Sequence, residues 1–173
     1  MSSFKIKIVY YSAGSLGKPV PIQRYFGKGF LSNYQINIGV NVYVKDFEYK
    51  SDDMATLSFW DIGEQKKFKF FRKALIKGAF GAVLVFDLSD RSSFEEVKKL
   101  QMNIRNITSK KIPFILIGIA DSGRSTVDRG EIQSYIEKEG GIYLETSDEI
   151  EDQLNKALNE LAHIIIETIV LAH

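Results

Sequence analysis

The chain has 173 residues, 45% of them hydrophobic, 26% charged and 3 of them prolines, which suits one domain spanning 1–173 with a sizeable core and excludes a disordered or fibrous chain. Its 23 basic and 22 acidic residues leave a net charge of +1, so nothing global calls for nucleic acid, an acidic substrate or a charged membrane. No cysteine occurs, which excludes disulfides, thiolate metal sites, a cysteine nucleophile and lipid attachment through a cysteine.

The first segment, MSSFKIKIVYY, is too short and too charged for a signal peptide, and the longest apolar run, near 164–172, falls short of the ~20 residues that span a bilayer. A soluble, cytoplasmic chain without transmembrane segment or lipid anchor is expected. The two histidines, His163 and His173, are too few for a histidine zinc site.

In chain order, strand-like apolar runs fall at 5–11, 82–87, 113–118 and 141–145, the later ones separated by longer segments of helical period. That alternation predicts a parallel sheet covered by helices. Between the first two runs, 40–49 and 56–60, joined by the polar KSDDMA, read as an antiparallel hairpin ending in the single tryptophan. Ser92 and Glu95 have capping-box spacing ahead of Phe94, Val97, Leu100, Ile104 and Ile107. Asp128 with Glu131, and Thr146 with Glu149, stand in the same relation to two later segments. The last carries Ile150, Leu154, Ala157, Leu158, Leu161 and Ile165 as one stripe of a long final helix.

The stretch after the first strand, SAGSLGKP, aligns with the phosphate-binding loop pattern G-x-x-x-x-G-K-[ST]. In that pattern glycines let backbone N–H groups wrap phosphates, the lysine reaches their oxygens and the hydroxyl ligates magnesium. Here Ser12 and Pro19 break both ends, and taken alone the Gly17-Lys18 pair reads more readily as an ordinary turn.

Further along, FLSNYQINIGVNVYVKDF, LSFWDIGEQKKF, GAVLVFDLSDRSSFEEV, IPFILIGIADS and YLETSD follow in the order and spacing of small GTPases. The chain resembles the Ras superfamily, nearest its Rab-like members, over nearly its full length. The resemblance implies an α/β fold: a six-stranded, mostly parallel sheet with one antiparallel strand, flanked by about five helices. It also implies GTP or GDP with Mg2+ as ligands, and a switch role exercised through effector or regulatory proteins.

Carried over residue by residue, the resemblance places Gly14, Ser15, Gly17 and Lys18 at the phosphates, Asp61 at magnesium through water, and Gln65 as the water-orienting catalytic residue. Asp121, Ser147 and Asp148 fall at the base. The departures are as systematic. Pro19 removes the magnesium hydroxyl and one N–H donor, and Pro21 shifts the following helix start. Asn37 replaces the threonine of the first switch. Glu64 replaces a glycine that meets the γ-phosphate; a carboxylate about 5 Å from a phosphate charge costs on the order of 3 kcal/mol at an effective dielectric near 20. Ile119 and Ala120 replace the asparagine and lysine of the guanine-reading N-K-x-D, and Asp121 serves as its aspartate only if the loop is one residue short. The expectation is a pseudo-GTPase, with a divergent active GTPase as the alternative.

KKFKFFRKALIK, 66–77, interleaves basic and aromatic residues, a pattern found in nucleic-acid binders but here read as a switch helix with aromatics on the sheet and lysines in water. With the first switch it forms the expected partner surface, 37–77, with no specific nucleic acid. In the final helix Ile164, Ile166, Val170 and Leu171 fall off the core stripe, so 151–173 is expected either to carry a self-association, partner or membrane-interface contact or to end in a frayed turn.

Overall fold

The computed structural model describes residues 3–13, 32–35, 40–62, 71–120, 123–146 and 149–171. In chain order these form β1 (Ser3–Ser12), β2 (Ser32–Gln35), β3 (Asn41–Lys50), β4 (Asp53–Asp61), α1 (Arg72–Ile76), β5 (Gly81–Asp87), α2 (Arg91–Thr108), β6 (Phe114–Ile119), α3 (Arg129–Glu139), β7 (Ile142–Glu145) and α4 (Ile150–Leu171). One sheet holds all strands in the order β2-β3-β4-β1-β5-β6-β7. β3 alone runs against the others.

The six expected strands are all present, and β2 is a seventh. Its four residues, SNYQ, carry no apolar alternation; what makes them a strand is the free edge of β3, paired from Ser32↔Val44 to Gln35↔Asn41. The β3–β4 hairpin is also tighter than the polar KSDDMA suggests. Lys50 pairs with Asp53, leaving Ser51 and Asp52 as a two-residue turn and drawing Asp53, Met54 and Ala55 into β4. Four helices lie among the described residues. The helix expected beyond Pro21 falls outside them.

Alternation along the central strands sorts side chains to two cores. Ile6, Ile8 and Tyr10 of β1, with Leu57, Phe59, Val83, Val85, Ile115 and Ile117, meet α4 through Leu154, Leu158, Leu161 and Ile165. Val9 and Tyr11, with Leu84, Phe86 and Leu116, meet α1, α2 and α3 through Ile76, Phe94, Val97, Ile104, Ile132 and Ile136. α4 is also tied to β3 by polar and aromatic contacts: Lys45 Nζ donates to Asn155 Oδ1 at 2.8 Å, and the Tyr49 and His163 rings lie 4.6 Å apart.

Three expectations about the helices change. Ile166 is fully buried beside Ile165, because the contact stripe of a helix lying across a sheet is wide enough to take adjacent positions; Ile164 is exposed, at 39%, and the Val170 and Leu171 side chains lie outside the described residues. Phe71, expected on the sheet, is 44% exposed; the short α1 turns Leu75 and Ile76 inward instead. The capping box at Ser92 is not formed. α2 begins two residues earlier, and the Asp90 carboxylate accepts the Ser92 N–H at 2.9 Å and the Ser92 hydroxyl at 2.6 Å, while Glu95 pairs with Lys98 at 2.9 Å. A carboxylate at the N-cap satisfies an orphan donor of the first turn and faces the positive end of the helix. Asp90→Ala is therefore expected to lower unfolding free energy by about 1 kcal/mol, and Ser92→Ala by clearly less; urea denaturation of the two variants measures the contrast.

Candidate functional site

From β1 the chain passes to the β2–β3 side of the sheet, whereas from β5 it passes to β6 and β7. The direction of winding therefore reverses between β1 and β5. In an open α/β sheet such a reversal leaves a crevice beyond the carboxyl ends of the strands, where ligands bind. The first residues of the phosphate-loop segment leave the sheet at this point. Ala13 N donates to Val85 O at 2.9 Å and Ile62 N to Tyr10 O at 3.0 Å, so the exits from β1 and β4 are pinned to neighbouring strands. Ser12 and Ala13 are buried. Gly14, Ser15, Gly17 and Lys18 lie outside the described residues.

Asp61 is the last residue of β4 and pairs in register with Tyr10 of β1 and Asn41 of β3. Register alone thus brings the expected magnesium-side carboxylate to the edge from which the phosphate loop departs, one strand spacing of about 4.8 Å away. Pro19, Asn37, Glu64 and Gln65 lie outside the described residues. Among the described residues no group of three or more histidines, aspartates and glutamates is placed to hold a metal.

At the base-reading side Asp121, Ser147 and Asp148 lie outside the described residues, but the strand ends that carry them are described. Ile119 closes β6 with 2% exposure and packs in the core that faces α4. Ala120 packs against the opposite core, and its N–H is taken by the Thr146 hydroxyl oxygen at 2.9 Å. Thr146 N in turn donates to Gly118 O at 3.0 Å. Thr146 thus ties the ends of β6 and β7 together. Hydrocarbon at 119 and 120 can neither accept from nor donate to a purine. Gly118 closes the same region: a Cβ there would stand 2.5 Å from Tyr143 Oη.

One charged cluster beside this edge has no counterpart in the sequence reading, because its partners are 16 residues apart. Arg129, the first residue of α3, donates from Nε to Glu145 Oε1 at 2.8 Å, and Tyr143 Oη donates to the same oxygen at 2.9 Å. The Arg129 hydrogen bond is the main cause that holds the Glu145 carboxyl below its usual range, partial burial opposing it; burial first, then Glu145, push the Tyr143 phenol up. A carboxyl whose folded pKa is depressed adds stability above its unfolded value and loses it as pH falls through the folded one. Arg129→Met should consequently lower the melting temperature at neutral pH, with the gap to the parent closing below the carboxylate range; thermal melts across pH 3 to 7 give the comparison.

No described helix is long and apolar enough to cross a membrane. Comparison with known proteins agrees with the fold and the edge. The Ras family profile matches residues 7–167. The chain is 28% identical to the Ras-related protein Rab-32B of Dictyostelium discoideum, with 96% of this chain and 66% of that protein aligned. It is 30% identical to the Ras-related protein Rab-32 of Sus scrofa over 96% of this chain and 75% of that one. With the Ypt/Rab-type GTPase YPT7 of Saccharomyces cerevisiae it shares 28% identity over 83% of this chain and 74% of that protein. The chain therefore spans about two thirds to three quarters of these relatives. By its sheet order, its phosphate-loop exit at the winding reversal and these matches, the chain belongs to the Ras family of small GTPases as a Rab-like member.

Proposed function

We propose that this chain is a pseudo-GTPase: a Rab-like fold that acts as a protein-interaction or regulatory module, with GTP hydrolysis weak or absent. The observation that carries the reading is the burial of Ile119. Where the family reads guanine through an asparagine amide, this chain has a residue 2% exposed in the core, and the next N–H is already bonded to Thr146. A site built to hydrogen-bond a purine loses discrimination steeply when those partners are missing. The described base-side residues therefore do not fit guanine. The sequence departures at Pro19, Asn37 and Glu64 point the same way for magnesium and the γ-phosphate.

The retained Gly17-Lys18 pair, Asp61 and Gln65 favour a second reading, a divergent active GTPase holding nucleotide through Lys18 and Asp121. For the interaction role, support comes from the 37–77 region. Phe71 is 44% exposed, and next to it Arg72 and Lys73 line, with Asn103, Asn106 and Ile107 of α2, a groove of about 660 Å³. An exposed aromatic beside cationic side chains is the composition of a protein-binding patch rather than of bulk surface.

Nucleotide content separates the two readings. Protein purified without added nucleotide, then denatured and resolved by anion exchange, is expected to release far less than one equivalent of GDP or GTP. A relative with intact motifs, carried through the same steps, supplies the positive control. Millimolar GTP with Mg2+ should leave the melting curve unmoved, whereas a site filled at 100-fold over its dissociation constant adds about 2.7 kcal/mol. Near one equivalent per chain would overturn the proposal in favour of the active GTPase.

A further inference from the structure

At the amino-terminal ends of the parallel strands, opposite the edge just described, the fold leaves a cavity of about 650 Å³. Phe80 precedes β5, Ile112 and Pro113 precede β6, Gly140 precedes β7, and the carboxyl-terminal half of α4 closes the side with Ile164, Ile165, Thr168 and Ile169. Its size lies inside the ~300–1,000 Å³ range of small-molecule sites.

The cavity exists because two elements stop short of it. α3 ends at Gly140, whose left-handed φ of 78° closes the helix with Gly140 N donating to Ile136 O, and the chain turns without a side chain to fill the space. α2 ends in a left-handed residue, Ser109, at φ 56°, and the following Lys110 and Lys111 pass over the mouth. The walls are hydrocarbon: Ile112 and Ile165 are buried, Phe80, Pro113 and Ile169 half-buried, and Ile164 exposed. Thr168 adds little polarity, since its hydroxyl donates back to Ile164 O at 2.8 Å.

Charge at the mouth is one-sided. The carboxylate that lines the cavity, Glu139, is 6% exposed; Arg105 Nη1 of α2 lies 3.7 Å from its Oε2, an ion pair without a hydrogen bond. Lys111 Nζ donates to Lys138 O at 3.0 Å, quenching a last-turn carbonyl of α3 while keeping its own positive charge. Lys110 is exposed and has no ion pair among the described residues. Among the described residues the lining thus sets two exposed ammonium groups against one buried carboxylate that is ion-paired with Arg105, and a hydrocarbon chamber of this charge balance is complementary to an apolar body ending in an anion.

We propose that this cavity binds a single-chain amphiphile with an anionic head, taken up as a monomer from solution. The hydrocarbon lies against Phe80, Ile112, Pro113 and the α4 isoleucines, and the head reaches Lys110, with Lys111 adding charge. This site is independent of the nucleotide reading, since it shares no residue with the opposite edge.

The probe is anilinonaphthalene sulfonate, an aromatic anion that fluoresces in apolar surroundings, titrated into the full chain and displaced by decanoate, decanol or decyltrimethylammonium at monomeric concentrations. One saturable site is expected, with decanoate competing about tenfold better than the cationic amphiphile. Lys110→Glu should erase that head preference while leaving decanol displacement unchanged. Ile164→Glu, at an exposed position, should weaken probe binding at least about tenfold. Thr168→Trp, which fills the chamber from the solvent face of α4, gives a second variant should the first disturb folding; circular dichroism melts check both. The proposal is overturned by absence of saturable binding, by displacement indifferent to head charge, or by Ile164→Glu and Thr168→Trp binding like the parent. Association with phosphatidylserine vesicles without displacement by monomeric decanoate would equally overturn it, as surface adsorption.

Discussion

Burial of the central parallel strands on both faces is the constraint from which the other features of this molecule follow. In β1, Ile6, Ile8 and Tyr10 enter one core and Val9 and Tyr11 the other, all at 2% exposure or less. Each such side chain is worth roughly 1.5–3 kcal/mol when withdrawn from water, and a slip of one residue would send every one of them to the wrong face. The register is therefore stiff. Because it is stiff, Ser12, Asp61, Asp87, Ile119 and Glu145 all arrive at one edge of the sheet.

That arrangement separates what keeps the fold from what would hold a nucleotide. The ladder of β1 with β5 runs to Ser12↔Val85, and that of β5 with β6 to Asp87↔Ile119; most residues of the phosphate and base motifs come after those pairs. Both ladders and both cores are therefore complete before most of the motif residues begin. Ile119 shows this at the end of β6, where its side chain is 2% exposed in the core and its burial stabilises the strand end. Polar links then close the gap, with Thr146 on Ala120 N–H and Arg129 on Glu145.

The two ends of the sheet differ in a way that bears on function. The carboxyl edge has been tightened by hydrogen bonds between loops. At the amino edge, the same helices end early in left-handed residues, Ser109 and Gly140, and an apolar chamber remains under α4. The face formed by α1 and α2 is different again, with Phe71 and Met102 exposed at 44% and 49%. On the proposed reading, these surfaces are where the protein meets other molecules.

Periodicity in the sequence was enough for six strands, the long helices and the two-sided core, because apolar residues at periods of 2 and 3.6 report burial wherever it recurs. Motif register was enough for the family and for the lost ligand types at Ser12, Pro19, Asn37, Glu64, Ile119 and Ala120. Other features depended on partners distant in the chain. SNYQ becomes β2 because β3 offers an unpaired edge, Ile166 is core because α4 lies across a broad sheet, and Asp90 displaces the serine expected to cap α2. Thr146 meets Ala120, and Arg129 meets Glu145, only because β6, β7 and α3 converge at one edge. Sequence by itself determined which residues could bind, since that is a matter of side-chain chemistry. Only the tertiary structure decided whether those side chains face a ligand or the core, since that is set by register and packing between segments far apart in the chain.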